Sequence, residues 1–204
     1  GARGSVREFT AASRLRIMKR LARARQLPSL FVTLTYPREF PSVRESKEHL
    51  RRALRKRRVY CQQQGTDHCC LWKLEPQRRG APHYHLLEWV RDWSETEWSF
   101  PPSKRGWRRF QNASPGWSRR LSQPSHGSES AWRAALVSWS SIWYATHGIE
   151  QAAALSNGVQ VDHVENRRQL FAYVSKYVSK GAGSRFVDHR TGEVLDPGRW
   201  WGVV

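Results

Sequence analysis

The sequence is poor in cysteine, in acidic residues and in long apolar runs. Its 204 residues include 3 Cys, at positions 61, 69 and 70, which form neither a CxxC pair nor an even set. A secreted disulfide scaffold is therefore excluded, and a reducing compartment such as the cytoplasm is expected. No apolar run reaches the roughly 18 residues that a membrane-spanning helix needs, so we predict no membrane partner.

Acidic residues are outnumbered: 17 Asp and Glu stand against 35 Lys and Arg, which gives a formal net charge of +18. Residues 1–60 alone hold 17 basic and 4 acidic residues. Such an excess indicates a polyanionic partner, either nucleic acid or an acidic membrane face. Residues 5–26 only partly fit a membrane-binding amphipathic helix, so DNA contact, an ordinary solvated helix face and a transit peptide all remain open for them. The chain starts at Gly1, and we expect a native N-terminal segment to be missing.

Apolar residues make up 39% of the chain, including 11 Trp, 7 Phe and 6 Tyr, which is enough to form a core. We predict one domain at residues 29–204, preceded by a basic helical arm at residues 1–28. Residues 91–130 are predicted to be an irregular insertion rich in Trp and Arg. From apolar patterning, capping boxes and turn residues we predict strands at 30–36, 69–75, 83–90 and 158–164, and helices from 42 to about 64, from 131 to 147 and from 166 to 181.

A histidine pair lies just after the predicted hairpin loop Pro76–Pro82. His83 and His85 are separated by one residue, so on a strand both imidazoles project from the same face. Glu75 ends the preceding strand and should lie across from His83, within reach of a shared ligand. Two imidazoles and one carboxylate, without thiolate, suit Mn²⁺ or Mg²⁺ acting on a phosphate.

Other interpretations of these histidines remain open from the residues alone. An HxH pair is often structural or exposed, and a site of two histidines and one carboxylate also holds non-haem iron in oxygenases. The cluster His68-Cys69-Cys70 is a rival set of metal ligands, but its spacing is poor, and we interpret it as part of a strand core.

A tandem tyrosine motif lies near the C-terminal end. Residues 173–180 repeat the tetrad YVSK twice, and on a helix Tyr173 lies on the same face as Tyr177, as Lys176 does with Lys180. A phenol is a weak nucleophile near neutral pH because its pKa is near 10. Neighbouring lysines favour the phenolate and bind phosphate oxygens. The alternative is an amphipathic helix with tyrosines at the edge of the core and lysines in solvent.

Three segments in this order resemble the motifs of the HUH superfamily of rolling-circle replication initiators. They are Leu30–Pro37, the segment Glu75–His85 and the YVSK tandem. The closest likeness is to the two-tyrosine initiators of single-stranded DNA phages and related plasmids, and it extends from about residue 29 to residue 181. The insertion and the N-terminal arm match nothing in that pattern.

The resemblance implies an α+β fold, with a central antiparallel sheet flanked by helices and with the histidines on a central strand. It also implies that Glu75, His83 and His85 hold the divalent metal. Tyr173 and Tyr177 would attack the phosphodiester to leave a 5′-phosphotyrosine and a free 3′-OH, and Lys176 would orient the phosphate or assist proton transfer. We expect Tyr173 to attack first.

The implied substrate is single-stranded DNA at a replication origin, with or without a hairpin, in the cytoplasm of a bacterial host. A host helicase and polymerase are the implied partners. We expect four basic residues near the site to contact this DNA: Lys73, Arg78, Arg79 and Lys180. Two alternatives remain: a relaxase or transposase of the same superfamily, and a non-catalytic module that binds nucleic acid through its basic and aromatic residues.

Overall fold

A five-stranded antiparallel sheet forms the centre of the computed structural model, which describes residues 7–93, 127–148, 153–179, 183–188 and 191–204. Its strands are β1 (Leu30–Thr35), β2 (His68–Pro76), β3 (Pro82–Val90), β4 (Val159–His163) and β7 (Trp201–Val203). They lie in the order β4-β1-β3-β2-β7. A separate two-stranded ribbon pairs β5 (Phe186–Val187) with β6 (Val194–Leu195). The predicted α+β class, with helices around an antiparallel sheet, is confirmed.

Helices cover both faces of this sheet. They are α1 (Ala11–Ala22), α2 (Val43–Gln63), α3 (Gly127–His147) and α4 (Arg167–Ser179), with a short π-helical segment, Ala154–Gly158, before β4. Contacts from α2 and α3 reach the face that carries Tyr84 and Glu88. The opposite face carries His83 and His85, and α4 lies over it with Tyr173 beside His85. This two-sided arrangement buries one sheet face in the core and leaves part of the other beside a helix edge.

Helix starts follow the caps that the sequence indicated. The Ser42 hydroxyl accepts a hydrogen bond from the Glu45 amide at 3.2 Å, and the Asn166 side chain accepts one from the Gln169 amide at 2.9 Å. Each bond satisfies an amide that has no partner within its own helix. At the end of α2, Gly65 has φ +74°, a conformation that favours glycine.

Several predicted boundaries are wrong by a few residues. β2 and β3 extend to Pro76 and Pro82, which pair with each other, so the hairpin loop is shorter than predicted. Helix α3 begins at Gly127 and so includes the last residues of the predicted insertion. The rest of that insertion, residues 94–126, lies outside the described residues, as does the predicted helix end at residue 181.

The edge strand β7 was not predicted from the sequence. It pairs with β2, placing Gly202 opposite Trp72. A Cβ atom at Gly202 would lie 2.9 Å from three atoms of the Trp72 ring. Only glycine therefore lets this edge strand approach β2 so closely.

The N-terminal segment packs on the rest of the described chain instead of projecting from it. Phe9 is fully buried, and its backbone amide and carbonyl bond to Ser184 and Gly183. Along α1, Ile17 and Leu21 are also buried. The boundary predicted at residue 28 therefore marks no break in the packing.

A buried ion pair connects the sheet to α2 and α3. Arg57 Nε lies 2.6 Å from Glu88 Oε1, and Trp139 Nε1 donates to Glu88 Oε2 at 3.0 Å. His68 Nε2 lies 3.0 Å from the same carboxylate, and Arg57 also donates to Ser138. Burial alone would raise the pKa of Glu88, but the charge of Arg57 and the contact with His68 outweigh it and hold the pKa well below its usual range.

Replacing Arg57 by Met is expected to lower the free energy of unfolding by about 3–5 kcal/mol, because Glu88 would keep its buried charge without its main partner. Chemical denaturation followed by circular dichroism measures this loss. The matched control is Arg58→Met, which removes an exposed arginine next along the same helix and should change stability by less than about 0.5 kcal/mol. Equal effects of the two variants would contradict the role of the ion pair.

No helix in the described parts of the chain combines the length and the apolar character that crossing a membrane requires.

Candidate active site

The two histidines of β3 lie side by side at the centre of the sheet. His83 pairs with Thr35 on one side and with Glu75 on the other, and His85 pairs with Thr33 and Lys73. Their ring centroids are 4.5 Å apart. As predicted, Tyr84 between them points to the opposite face, where its hydroxyl bonds to Ser46 at 2.7 Å. The alternation of a single strand thus brings both imidazoles to one face.

Glu75 lies beside this histidine pair, at the end of β2. Its Oε2 atom is 3.5 Å from His85 Nε2 and 3.1 Å from Lys73 Nζ. His83 Nδ1 contacts the hydroxyl of Thr35 and lies 3.3 Å from Gln77 Nε2. An open depression of about 500 Å³ exposes the three predicted ligands together with the hairpin loop. The predicted carboxylate and histidines are therefore brought together.

The site keeps its carboxylate charged and its imidazoles neutral. Burial would raise the pKa of Glu75, but the hydrogen bond to His85 and the charge of Lys73 outweigh it and lower the pKa to about 2. Burial, reinforced by His85, lowers the pKa of His83 to about 3. Burial likewise lowers the pKa of His85, against the attraction of Glu75. An ionised carboxylate and neutral imidazoles are the protonation states that a metal ligand requires.

Tyr173 carries its hydroxyl from α4 to the histidine pair. A hydrogen bond of 3.3 Å joins this hydroxyl to His85 Nδ1. The phenol ring stacks on Phe31 of β1, with centroids 3.7 Å apart and an angle of 17° between the planes. Leu170 and Val174 of the same helix are buried, which holds α4 on the sheet. Phe31 and the apolar stripe of α4 thus fix the tyrosine beside the imidazoles.

The other residues of the tandem motif differ in what the structure describes. Lys176 is exposed on α4, and its charge acts on His85. Tyr177 lies one helical turn after Tyr173, on the same face of the helix, but its side chain lies outside the described residues. Lys180 lies outside them altogether, so its predicted DNA contact stays a prediction.

The basic residues of the hairpin have unequal surroundings. Arg78 is exposed at the loop, where a phosphate would be accessible to it. Lys73 is only 3% exposed; it donates to Glu75, and its ammonium lies 5.1 Å from the centroid of the Phe9 ring. Arg79 donates to the carbonyls of Tyr36 and Arg38. Lys73 and Arg79 therefore act as structural partners here, and DNA contact by all three remains a prediction.

The residues suit a divalent cation by their donor chemistry. Glu75, His83 and His85 supply one ionised carboxylate oxygen and two neutral nitrogens, which hold Mn²⁺ or Mg²⁺ when water and phosphate complete the coordination. Among the described residues, however, no three His, Cys, Asp or Glu side chains form a compact metal-binding group. The carboxylate instead contacts Lys73 and His85, and cation binding requires it to release them.

Three supporting residues were missed by the sequence reasoning. Thr35 and Gln77 contact His83, and Phe31 stacks on Tyr173. Phe31 and Thr35 alternate along β1 on the histidine face, which is a signal that the strand pattern contains. Gln77 had no such signal, because a loop residue has no fixed direction.

The fold and the site define an α+β protein whose central sheet places a histidine pair and a carboxylate beneath a helical tyrosine. Residues 29–182 match the family model of the replication-associated protein ORF2. The chain belongs to this family of replication-associated proteins. The match includes all three sequence motifs, whereas α1 and β7 lie outside it. A search of curated proteins and a search of solved structures find no match.

Proposed function

We propose that the protein is a rolling-circle replication initiator of the HUH, two-tyrosine type, which nicks and joins single-stranded DNA. The observation that carries the proposal is the 3.3 Å contact between the Tyr173 hydroxyl and His85. It brings a nucleophile to the same sheet face as Glu75 and His83. Membership of a replication-associated family supports the same assignment.

In the proposed reaction, the phenolic oxygen of Tyr173 forms a bond to the phosphorus of one phosphodiester. The bond from phosphorus to the 3′ oxygen breaks, the phenol gives up its proton, and the leaving oxygen takes one up as the free 3′-OH. A 5′-phosphotyrosine remains. Lys176, exposed on the same helix, orients the phosphate or assists the proton transfer.

The proposed cofactor is Mn²⁺ or Mg²⁺, held by Glu75, His83 and His85. When bound, such a cation polarises the scissile phosphate and lowers the cost of its developing charge. The protein's own contribution is to keep Glu75 ionised and both imidazoles neutral, as their shifted pKa values provide. Phe31 holds the phenol ring by stacking.

A second tyrosine would allow a second transfer. Tyr177 lies one turn further along α4, so a phosphodiester that is re-presented to the helix would meet another phenol. Attack by Tyr177 on a second site, followed by attack of the free 3′-OH on the first phosphotyrosine, closes a circle. The single-stranded origin and the host helicase and polymerase are the partners that this role requires.

The direct test is a denaturing gel of the chain mixed with labelled single-stranded DNA and Mn²⁺. We expect a labelled band that survives denaturation, because the phosphotyrosine bond is covalent. The DNA is a set of single-stranded fragments tiled over the replicon, so that the origin need not be known. Salt-sensitive binding without any covalent band on every fragment would instead favour a non-catalytic nucleic-acid-binding module.

A further inference from the structure

A second basic cavity lies between α1 and the histidine face of the sheet, and it shares no lining residue with the depression at the histidines. We call it the α1 groove. It has a volume of about 930 Å³. Its lining includes Arg16, Lys19, Arg20, Arg23, Trp89 and Trp201. Apart from α1 and its following turn, the walls come from β2, β3 and β7, so separate parts of the chain build the groove.

The lining chemistry selects one class of ligand. The groove has five basic side chains, the fifth being Arg25, and no Asp or Glu among its lining residues, so it favours a polyanion. Trp89 and Trp201 are half-buried, and the indole of Trp89 is held by a 3.0 Å bond from Nε1 to the Gln26 carbonyl. Fixed aromatic rings within a basic groove bind the bases and phosphates of a single strand, whereas duplex DNA keeps its bases stacked away from them.

The α1 groove and the candidate active site share one face of the sheet. Cys69 and Leu71 line the groove, and alternation along β2 puts them on the same face as Glu75. The step from Cys69 to Glu75 is about 20 Å along a strand. A single strand bound in the groove can therefore continue towards the histidines.

We propose that the α1 groove is a binding site for the single-stranded DNA that flanks the scissile linkage. This role in positioning DNA rests on the proposed nicking function, but strand binding itself does not. The residues on α1 and on β7 that carry it lie outside the family match at residues 29–182. The groove is therefore a feature of this chain beyond the matched region.

The test is equilibrium binding of fluorescent oligo-dT, measured by anisotropy in EDTA so that metal-dependent cleavage cannot contribute. The oligonucleotide is longer than the roughly 4–16 nucleotides that one such groove covers. We expect the triple variant Arg16→Ala, Arg20→Ala, Arg23→Ala to bind at least about tenfold more weakly. The slope of log K against log salt should fall by about 2, because each lost phosphate contact contributes about 0.7 for single strands.

The matched control is a second basic groove of about 590 Å³ beside α2, lined in part by Arg51, Arg55 and Arg58. Its tryptophan, Trp72, is buried. The triple variant Arg51→Ala, Arg55→Ala, Arg58→Ala removes the same charge and should leave both affinity and salt slope nearly unchanged. Equal losses in the two triple variants would overturn the proposal, since net charge alone would then explain binding.

Base stacking is tested with the unaltered chain. An abasic oligonucleotide of the same length should bind about tenfold more weakly than oligo-dT, because stacking on tryptophan is lost. A Trp201→Leu variant with an unchanged circular dichroism spectrum should reduce that difference. Equal binding of abasic and dT strands, or tighter binding of duplex DNA or anionic vesicles, would overturn the assignment. A nicking failure with intact groove binding would refute the proposed function and leave this site in place.

Discussion

Replacing both tyrosines of the tandem motif by phenylalanine should abolish the covalent protein–DNA product. The Tyr173→Phe, Tyr177→Phe double variant lacks both phenolic oxygens, so no phosphotyrosine bond can form at this helix. Stacking on Phe31 needs only the ring, and Phe keeps the ring. The variant should therefore fold and bind single-stranded DNA as the parent does. A denaturing gel with labelled origin DNA and Mn²⁺ measures the result.

Single variants separate the two tyrosines. If Tyr173 attacks first, Tyr173→Phe should lose the first cleavage, while Tyr177→Phe should still form the first adduct and fail at strand transfer. Tyr144→Phe is the matched control, because Tyr144 is exposed on another helix, α3. It should leave both steps unchanged. An adduct of normal yield from the double variant would remove the tyrosines from the mechanism.

Chelation should stop cleavage, and added Mn²⁺ or Mg²⁺ should restore it. The physical reason is that Glu75, His83 and His85 offer one carboxylate and two imidazoles but leave the charge of a phosphate uncompensated without a cation. Glu75→Gln, which keeps the shape and removes the charge, should cost at least the roughly 10–100-fold that loss of even an outer partner of a metal ligand costs. Cleavage rates with and without EDTA measure both effects.

The control for this experiment is Glu48→Gln, which neutralises an exposed carboxylate on α2. It should cleave at the parental rate at every metal concentration. Binding of Mn²⁺ followed by calorimetry gives a readout independent of cleavage, and Glu75→Gln should weaken it. Full cleavage by the parent chain in EDTA would contradict the assignment of all three ligands.

The sequence predicted the centre of the site because local rules determine it. A hairpin places Glu75 opposite His83, and strand alternation places His85 on the same face. The helical period likewise places Tyr177 one turn after Tyr173. None of these relations needs contacts between distant parts of the chain.

Contacts between distant parts of the chain account for what the sequence did not predict. Lys73 is buried because Phe9, from the N-terminal segment, packs over its ammonium. Arg79 bonds to carbonyls of residues 36 and 38 rather than projecting into solvent. The strand β7 has three residues, too few for an alternating pattern to be recognised. Each of these depends on tertiary packing that no local pattern specifies.

The most direct test of the whole account is to identify the amino acid that carries the DNA. The adduct formed with Mn²⁺ is digested with protease and nuclease, and mass spectrometry locates the residual nucleotide. The account predicts the nucleotide on the peptide from α4, at Tyr173 when Tyr177 is replaced by Phe. A nucleotide on any residue outside this helix would contradict the proposed convergence of tyrosine and histidines on one phosphodiester.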